Sequence, residues 1–249
     1  MKKIAVIGTG LSALSLVHHL PALDVTFFEK SWRPGGRIST KRHENYTFDH
    51  GAHYLKEDHG MIGLNEFLNK INATKILKGD FCSNIQNKSP IEEKQVIVGQ
   101  KGIESIPIEF HKRLRYPTNF STHIKKIKSV NQEYYLETDN EKFGPFDFIF
   151  CCIPYEQAEN LLNDFIDYSP ITPPDFDVIW TIMIALDKRL GSPFQFGYHL
   201  TPDISFLMNQ NFKHEFFSDE CWVINMRSEW SKEYYNIENY VLEDYVIAV

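Results

Sequence analysis

The sequence predicts an α/β fold in which a parallel sheet is interleaved with an antiparallel one. An apolar run at Lys3–Ile7 precedes a glycine turn and a helical pattern, and a second apolar run follows at 24–29. A strand, a helix and a second strand in that order form the unit from which parallel sheets are built. Short runs of alternating polar and apolar residues fill much of the remaining chain, which is typical of antiparallel strands.

The glycine turn after the first strand indicates a dinucleotide site. Gly8 and Gly10 stand in the pattern G-x-G-x-x-G/A, with Ala13 at the third position. Glycines let backbone N–H groups approach a pyrophosphate, and a helix that begins at such a turn directs its positive end at the phosphates. Leu11 and Ser12 begin that helix and are therefore predicted to lie at the phosphates.

An acidic residue at the end of the second strand supports the same site. The helix predicted over 10–20 ends before Pro21, and Glu29 follows Gly8 by 21 residues. An acid at this distance can accept hydrogen bonds from a ribose 2′-hydroxyl. The turn, the helix and the acid together predict a Rossmann-type fold that binds either NAD or FAD.

Two further motifs separate these alternatives. Residues 29–40 read EKSWRPGGRIST, and Phe48 to Tyr54 read FDHGAHY. The first resembles the second glycine motif of the glutathione-reductase-like flavoprotein superfamily, in its amine-oxidase and renalase branch. The second resembles the renalase-like pattern Phe-Asp-His-Gly-Ala-Gln-Tyr, with His53 in place of glutamine. The chain is thus similar to FAD-dependent oxidoreductases of the renalase-like and amine-oxidase-like kind.

The resemblance implies a Rossmann-type FAD/NAD(P)-binding domain with an interleaved antiparallel-sheet substrate domain. The FAD-binding domain is expected at 1–56 and 99–158, and the substrate-binding domain at 57–98 and 159–249. Together, the motifs and the resemblance predict these cofactor-binding residues: Gly8, Gly10, Leu11, Ser12, Glu29, Lys30, Gly36, Arg37, Asp49, His50, Gly51, Ala52 and Ile124. Ile124 rests on the resemblance alone, because its segment aligns with one whose backbone contacts the adenine.

Catalysis in such proteins is hydride transfer from a small reduced substrate to the flavin, often without a strong acid or base from the protein. The implied substrate is a dihydronicotinamide isomer, a related reduced nicotinamide nucleotide or an amine-like molecule. His53 and Trp180 are the candidates for contact with substrate or flavin, although Trp180 also fits plain core packing. His50 and His53 lack further ligands at suitable spacing, so no metal site is predicted.

The other helices and strands are predicted from the spacing of apolar residues and from the glycine and proline residues that interrupt it. Helices are predicted at 60–71, 103–114, 155–165 and from 229 onward. Strands are predicted at 74–77, 80–85 and 95–98, as a hairpin of 120–129 with 133–138, as a buried strand at 146–153, as a central strand at 177–186, and at 204–209 and 221–226.

Composition limits the partners. The net charge of −7 argues against nucleic acid. The four cysteines form no C-x-x-C pair, which favours a reduced intracellular protein. No apolar stretch approaches the roughly 20 residues that cross a membrane, and the first strand begins at once, so a cytoplasmic protein is expected. The oligomeric state stays open.

The end of the sequence departs from the family pattern. Members continue with a strand, a Gly-Asp motif and a last helix, whereas no glycine follows Val223 here. The expectation is a chain that lacks this strand and helix. The alternatives to an active oxidoreductase are therefore a catalytically weakened dinucleotide-binding protein and an interaction module that needs a partner chain.

Overall fold

The computed structural model describes residues 1–20, 23–56, 62–83, 90–214 and 219–236. It forms two compact units. Unit 1 comprises Met1–Thr40, Gly51–Ile76 and Val96–Pro174, and unit 2 comprises Lys41–His50, Leu77–Gln95 and Asp175–Val249. These boundaries differ from the predicted domain division, which stays a prediction.

The described elements follow one another from a strand at the N-terminus to a short helix. In chain order they are β1 (Lys3–Ile7), α1 (Leu11–His19), β2 (Asp24–Phe28), β3 (Thr40–His43), β4 (Tyr46–Asp49), α2 (Ile62–Lys70), β5 (Thr74–Cys82), β6 (Glu92–Gly99), α3 (Ser105–Leu114), β7 (Thr118–Asn119), β8 (Lys126–Val130), β9 (Glu133–Glu137), β10 (Lys142–Phe146), β11 (Phe148–Cys151), α4 (Tyr155–Leu162), β12 (Thr181–Leu186), β13 (Phe196–Tyr198), β14 (Ile204–Asn209), β15 (Glu220–Met226) and α5 (Ser228–Glu233). Residues 60 and 61 of the predicted second helix, and the predicted helix beyond 236, lie outside the described residues.

Unit 1 contains a parallel sheet with the strand order β11-β1-β2-β7. Ile4 pairs with Val25 on one side and with Phe148 on the other. The helix α1 connects β1 to β2, as predicted, and the α/β class with a Rossmann-like parallel sheet is confirmed. The strand order reverses at β1, and ligands of such sheets bind beyond the carboxyl ends of the strands at this point.

The central strand of this sheet is apolar because both faces are covered. Ile4 and Val6 belong to one buried cluster, which includes residues of α1 and α3. Ala5 and Ile7 belong to a second cluster on the opposite face. Successive side chains of a strand point to opposite faces, so a doubly covered strand reads as a continuous apolar run.

A three-stranded antiparallel sheet, in the order β10-β9-β8, accompanies the parallel sheet in unit 1. The predicted hairpin strand at 120–129 is wrong in its first half, because strand β8 begins only at Lys126. Ser121 has a positive φ of 53°, and its N–H donates to the carbonyl oxygen of Ser31. The predicted strand at 146–153 is also too long: Phe146 ends β10, and Phe148, the first residue of β11, is 49% exposed.

A six-stranded sheet has the order β12-β15-β14-β13-β5-β6, and its strands β12 to β15 belong to unit 2. The strands predicted at 74–77 and 80–85 are one strand, β5, as far as the described residues extend. Gly79 lies within this strand, and a Cβ there would lie 2.6 Å from the ring of Phe212, so the glycine makes room for an aromatic side chain. The predicted central strand β12 instead lies at one end of this order of described strands, and Met183 is 40% exposed.

None of the helices within the described ranges is both long and apolar enough to cross a bilayer.

Candidate functional site

The first glycine turn follows β1 in unit 1 and is held by backbone contacts. The N–H of Gly8 donates to the carbonyl oxygen of Phe28 at 2.8 Å. Gly8 has a φ of 96°, and a Cβ there would lie 2.8 Å from the carbonyl oxygen of Cys152. Any side chain at this position would therefore meet both an unfavourable backbone conformation and a steric clash.

The N-terminus of α1 has the features of an anion site. Gly10 is its N-cap and makes no side-chain capping hydrogen bond, and the first turn, with Leu11 and Ser12, contains no acidic residue. The first N–H groups of a helix lack partners within the helix and carry partial positive charge. These groups are the expected ligands of a phosphate. Leu11 and Ser12 begin the helix as predicted, and their contact with a phosphate stays a prediction.

Glu29 follows β2 directly and is 6% exposed. Its Oε2 accepts hydrogen bonds from the N–H of Thr9 at 3.0 Å and from the Oγ1 of Thr9 at 2.7 Å. Its Oε1 accepts one from the N–H of Ser31 at 2.8 Å. An ionised carboxylate offers about four acceptor positions, so this fixed group can still accept a hydrogen bond from a ligand hydroxyl.

The segment that carries Ile124 begins beside Glu29. The N–H of Thr122 donates to the carbonyl oxygen of Glu29 at 2.8 Å. The side chain of Ile124 is buried in the core with Ile7. Lys30 is exposed, and its Nζ donates to Gln157 at 3.2 Å. The contact of each with a cofactor stays a prediction.

The second glycine motif lies against the first. The N–H of Gly35 donates to the carbonyl oxygen of Thr9 at 3.2 Å, and Gly35 forms a β-bridge with Gly10. Gly36 has a φ of 59°, with open space where a Cβ would stand. The following Arg37 is exposed. The structure thus brings together two glycine segments that are 25 residues apart in the chain.

The motif FDHGAHY also lies partly beside the two glycine segments. The N–H of Ala52 donates to the carbonyl oxygen of Arg37 at 3.0 Å, and that of Gly51 to Ser39 at 3.4 Å. A Cβ on Gly51 would overlap the Arg37 carbonyl oxygen, so only glycine permits this approach. His53 lies half-buried in the same unit.

Asp49 and His50, from the same motif, belong to unit 2. Asp49 is fully buried, and its Oδ2 lies 2.6 Å from the Nζ of Lys213, which is also buried. The N–H of Asp49 donates to the Oε1 of Gln210 at 3.0 Å, and the Nε2 of His214 lies 3.7 Å from the carboxylate. We call Asp49, Gln210, Lys213 and His214 the buried charge cluster. His50 is half-buried.

The charges of this cluster stabilise one another. Burial alone would raise the pKa of Asp49, but His214 and the charge of Lys213 hold it well below its usual range. Burial lowers the pKa of Lys213, and Asp49 opposes that shift. The carboxylate of Asp49 is engaged by Lys213, a lysine that no local pattern indicated. The predicted contact of Asp49 with a cofactor stays a prediction.

Trp180, the other catalytic candidate, stands just before β12 and not within it. Its backbone N–H donates to the Oγ of Ser231 at 2.9 Å, and its carbonyl oxygen accepts a hydrogen bond from the N–H of Met226 at 2.9 Å. Its side chain packs with an apolar cluster that includes Trp230. Packing within unit 2 accounts for these contacts, and a role toward substrate stays a prediction.

The adjacent cysteines Cys151 and Cys152 offer little nucleophilic chemistry. Burial raises the pKa of Cys151, at the end of β11, to about 11, and it also raises the pKa of Cys152. Both are thiols near neutral pH, and a thiol is a poor nucleophile. Within the described residues no group of three His, Cys, Asp or Glu side chains is arranged to hold a metal ion.

Comparison with known proteins supports a Rossmann-like fold for the first part of the chain. Residues 6–70 match the family described as an NAD(P)-binding Rossmann-like domain. Coproporphyrinogen III oxidase of Staphylococcus aureus (strain NCTC 8325 / PS 47) is 43% identical over 54 residues, which are 20% of this chain. The match spans only 12% of that relative's length.

Two solved structures are similar over nearly the whole chain. A candidate protoporphyrinogen oxidase from Exiguobacterium sp. 255-15 has a TM-score of 0.75 and 12% identity, over 98% of this chain and 81% of its own. A double mutant of putrescine oxidase has a TM-score of 0.71 and 11% identity, over 99% of this chain and 80% of its own. At these identities the likeness establishes the fold, and this chain has the fold of these oxidases.

Proposed function

We propose that this chain binds FAD through unit 1 and acts as an FAD-dependent oxidoreductase. The observation that carries the proposal is the hydrogen bond from the N–H of Gly35 to the carbonyl oxygen of Thr9. It joins the two glycine segments beyond the carboxyl end of β1, where sheets of this order bind their ligands.

The residues of unit 1 fit the two phosphates and the ribose of such a cofactor. The uncapped N-terminus of α1 provides N–H groups for one anionic group. Arg37 is exposed beside Gly36 and offers a guanidinium for the other. Glu29 is held in place to accept a ribose hydroxyl. A site for NAD needs only the first glycine turn and the acid, so the second glycine segment favours FAD.

A bound flavin would supply the redox chemistry by accepting a hydride from the substrate. The chain's own residues bind and orient the cofactor. Cys151 and Cys152 remain protonated, because burial raises the pKa of both thiols. No thiolate step is therefore included in the proposal.

The proposed substrate is a small reduced molecule, either a dihydronicotinamide isomer or an amine. The renalase-like motif FDHGAHY supports the first class. The fold shared with putrescine oxidase, whose name specifies an amine, supports the second. His53 is the candidate to contact substrate or flavin, since it replaces the glutamine of the family motif.

The absorption spectrum of the purified protein, before and after incubation with FAD, tests the proposal. We expect visible flavin absorption that stays with the protein through gel filtration. Glu29→Gln should weaken FAD binding roughly 10- to 100-fold, because a charge-assisted hydrogen bond contributes about 1.5–3 kcal/mol. Glu109→Gln is the matched control, since Glu109 is a partly exposed glutamate paired with Lys112. A colourless protein that takes up no FAD would refute the proposal.

The second candidate is a dinucleotide-binding protein of weakened activity that holds ADP-like ligands. The hydrogen bonds that join the first glycine turn to β2 and Glu29 favour it, because they involve neither Gly36 nor Arg37. Anaerobic bleaching of bound flavin by a reduced nicotinamide substrate would exclude it. Equal affinity for ADP and FAD, without bleaching by any reductant of the two proposed classes, would favour it over the oxidoreductase.

A further inference from the structure

Arg33, at the start of the second glycine motif, pairs with a carboxylate distant in the chain. Its guanidinium forms a salt bridge with Glu104, and its Nη2 donates to the carbonyl oxygen of Thr40 at 2.9 Å. The N–H of Glu104 donates to the Oγ1 of Thr40 at 3.2 Å. Thr40 and Glu104 are buried, so the three residues form one connected polar group inside unit 1.

This group joins the second glycine segment to the N-terminus of α3. Glu104 directly precedes that helix, and a Cβ on Gly35 would lie 3.3 Å from the ring of Pro107 in its first turn. On its other side, the segment is hydrogen-bonded to the first glycine turn through the N–H of Gly35 and the carbonyl oxygen of Thr9. Residues 33–37 are therefore held between the phosphate-binding turn and α3.

Charge and burial explain why the pair holds. The side chain of Glu104 is 5% exposed, and a buried carboxylate without a counter-charge is strongly unfavourable. The guanidinium of Arg33 is 25% exposed and has the planar donor geometry that suits both a carboxylate and a carbonyl oxygen. Arg37 differs, because its side chain is exposed and forms no ion pair within the described residues.

We propose that Arg33 and Glu104 form a positioning pair that holds residues 33–37 in their ligand-binding conformation before any ligand is present. Arg33 acts through the segment and does not contact the ligand, whereas Arg37 faces it. Preorganisation raises affinity because less ordering remains to be done on binding. The inference rests on the proposed function for the identity of the ligand, but the holding of the segment is a property of the ligand-free protein.

Trypsin cleavage of the full, ligand-free chain tests this property. The variants are Arg33→Met, Glu104→Gln and the double variant Arg33→Met/Glu104→Met, with Glu109→Gln as control. Each single variant should speed cleavage after Arg37 about ten-fold or more, because cleavage depends on local opening. Cleavage after Arg189, an exposed site in unit 2, should not change. Equal acceleration at both sites, or at neither, would overturn the proposal.

FAD titration of the same variants separates positioning from direct contact. If the pair positions the segment, Glu104→Gln and Arg33→Met should weaken FAD binding by similar factors, on the order of ten-fold. The double variant should bind no worse than either single one. If Glu104→Gln instead leaves affinity unchanged or tighter, Arg33 contacts the ligand and the proposal is wrong. A wild-type protein that takes up no FAD defeats the proposed function, while the trypsin assay still decides the positioning pair.

Discussion

Two regions of this protein are assembled in different ways. The glycine-rich region of unit 1, around Gly8, Gly35 and Gly51, is made of backbone groups that approach one another closely. The buried charge cluster of unit 2 is made of side chains, in which Asp49 and Lys213 stand 164 residues apart. Local sequence specifies the first region, whereas only the completed fold assembles the second. The difference explains why motifs identified the first region but gave no indication of Lys213, the partner of Asp49 in the second.

Removal of Lys213 should give the largest effect. Lys213→Met leaves the Asp49 carboxylate buried without its cation, and breaking such a pair costs about 3–5 kcal/mol. For a chain of this length, the melting temperature should fall by roughly 6–20 °C. Thermal unfolding followed by circular dichroism measures this change. Asp49→Leu/Lys213→Met should lose less than the single variant, and a larger loss would mean that the pair is not the stabilising element.

Substitutions at Gly51 and Gly36 compare a crowded glycine with one that faces open space in unit 1. Gly51→Ala places a Cβ against the Arg37 carbonyl oxygen, and such overpacking costs about 1–3 kcal/mol. Gly36→Asn meets open space, and Asn tolerates the left-handed conformation, so the expected loss is within about 0.5 kcal/mol. Urea unfolding compares them. Equal losses would contradict a region that is specified by close backbone approach.

The stability contributed by Asp49 should depend on pH. Its pKa is lowered in the folded protein, so the unfolded chain binds more protons and the contribution is complete above the unfolded pKa of about 3.9. It is lost as pH falls toward the folded pKa, by about 1 kcal/mol between pH 5 and pH 3. Urea unfolding at several pH values, with Asp49→Asn for reference, measures it. A wild-type stability that falls no faster than that of Asp49→Asn would disprove this.

Thr9 should give the smallest effect. Thr9→Val removes the hydroxyl that donates to Glu29 but keeps the N–H that donates to the same oxygen. FAD affinity should fall about three-fold, since one hydrogen bond contributes roughly 0.5–1.5 kcal/mol. Fluorescence titration with FAD measures this loss. A loss as large as that of Glu29→Gln would mean that Thr9 itself contacts the ligand.

Much of unit 1 could be predicted because its signals are local. The apolar run of β1, the glycine turn and Glu29 lie within 29 residues, and their periodicity and spacing are visible in the sequence. The strand limits of β1 agree with the prediction. The position of a strand within its sheet was harder to predict. The apolar sequence of β12 indicates a central strand, yet β12 lies at one edge of the described strands of its sheet.

The missed residues have partners that are remote in the chain. Nothing near Lys213 indicates a buried lysine, and nothing near Glu104 indicates Arg33. Lysine and glutamate are seldom fully buried without a partner, so composition argues against placing either in a core. A charged residue can be assigned to the interior only when its counter-charge is known, and that requires the fold.

Direct titration of the ligand-free protein with FAD, followed by gel filtration, tests the central claim most directly. We expect one FAD to remain bound per chain, more tightly than ADP, and Glu29→Gln to weaken this binding while Glu109→Gln does not. A chain that retains no flavin, or that binds FAD and ADP equally well, would contradict a site built from two glycine segments.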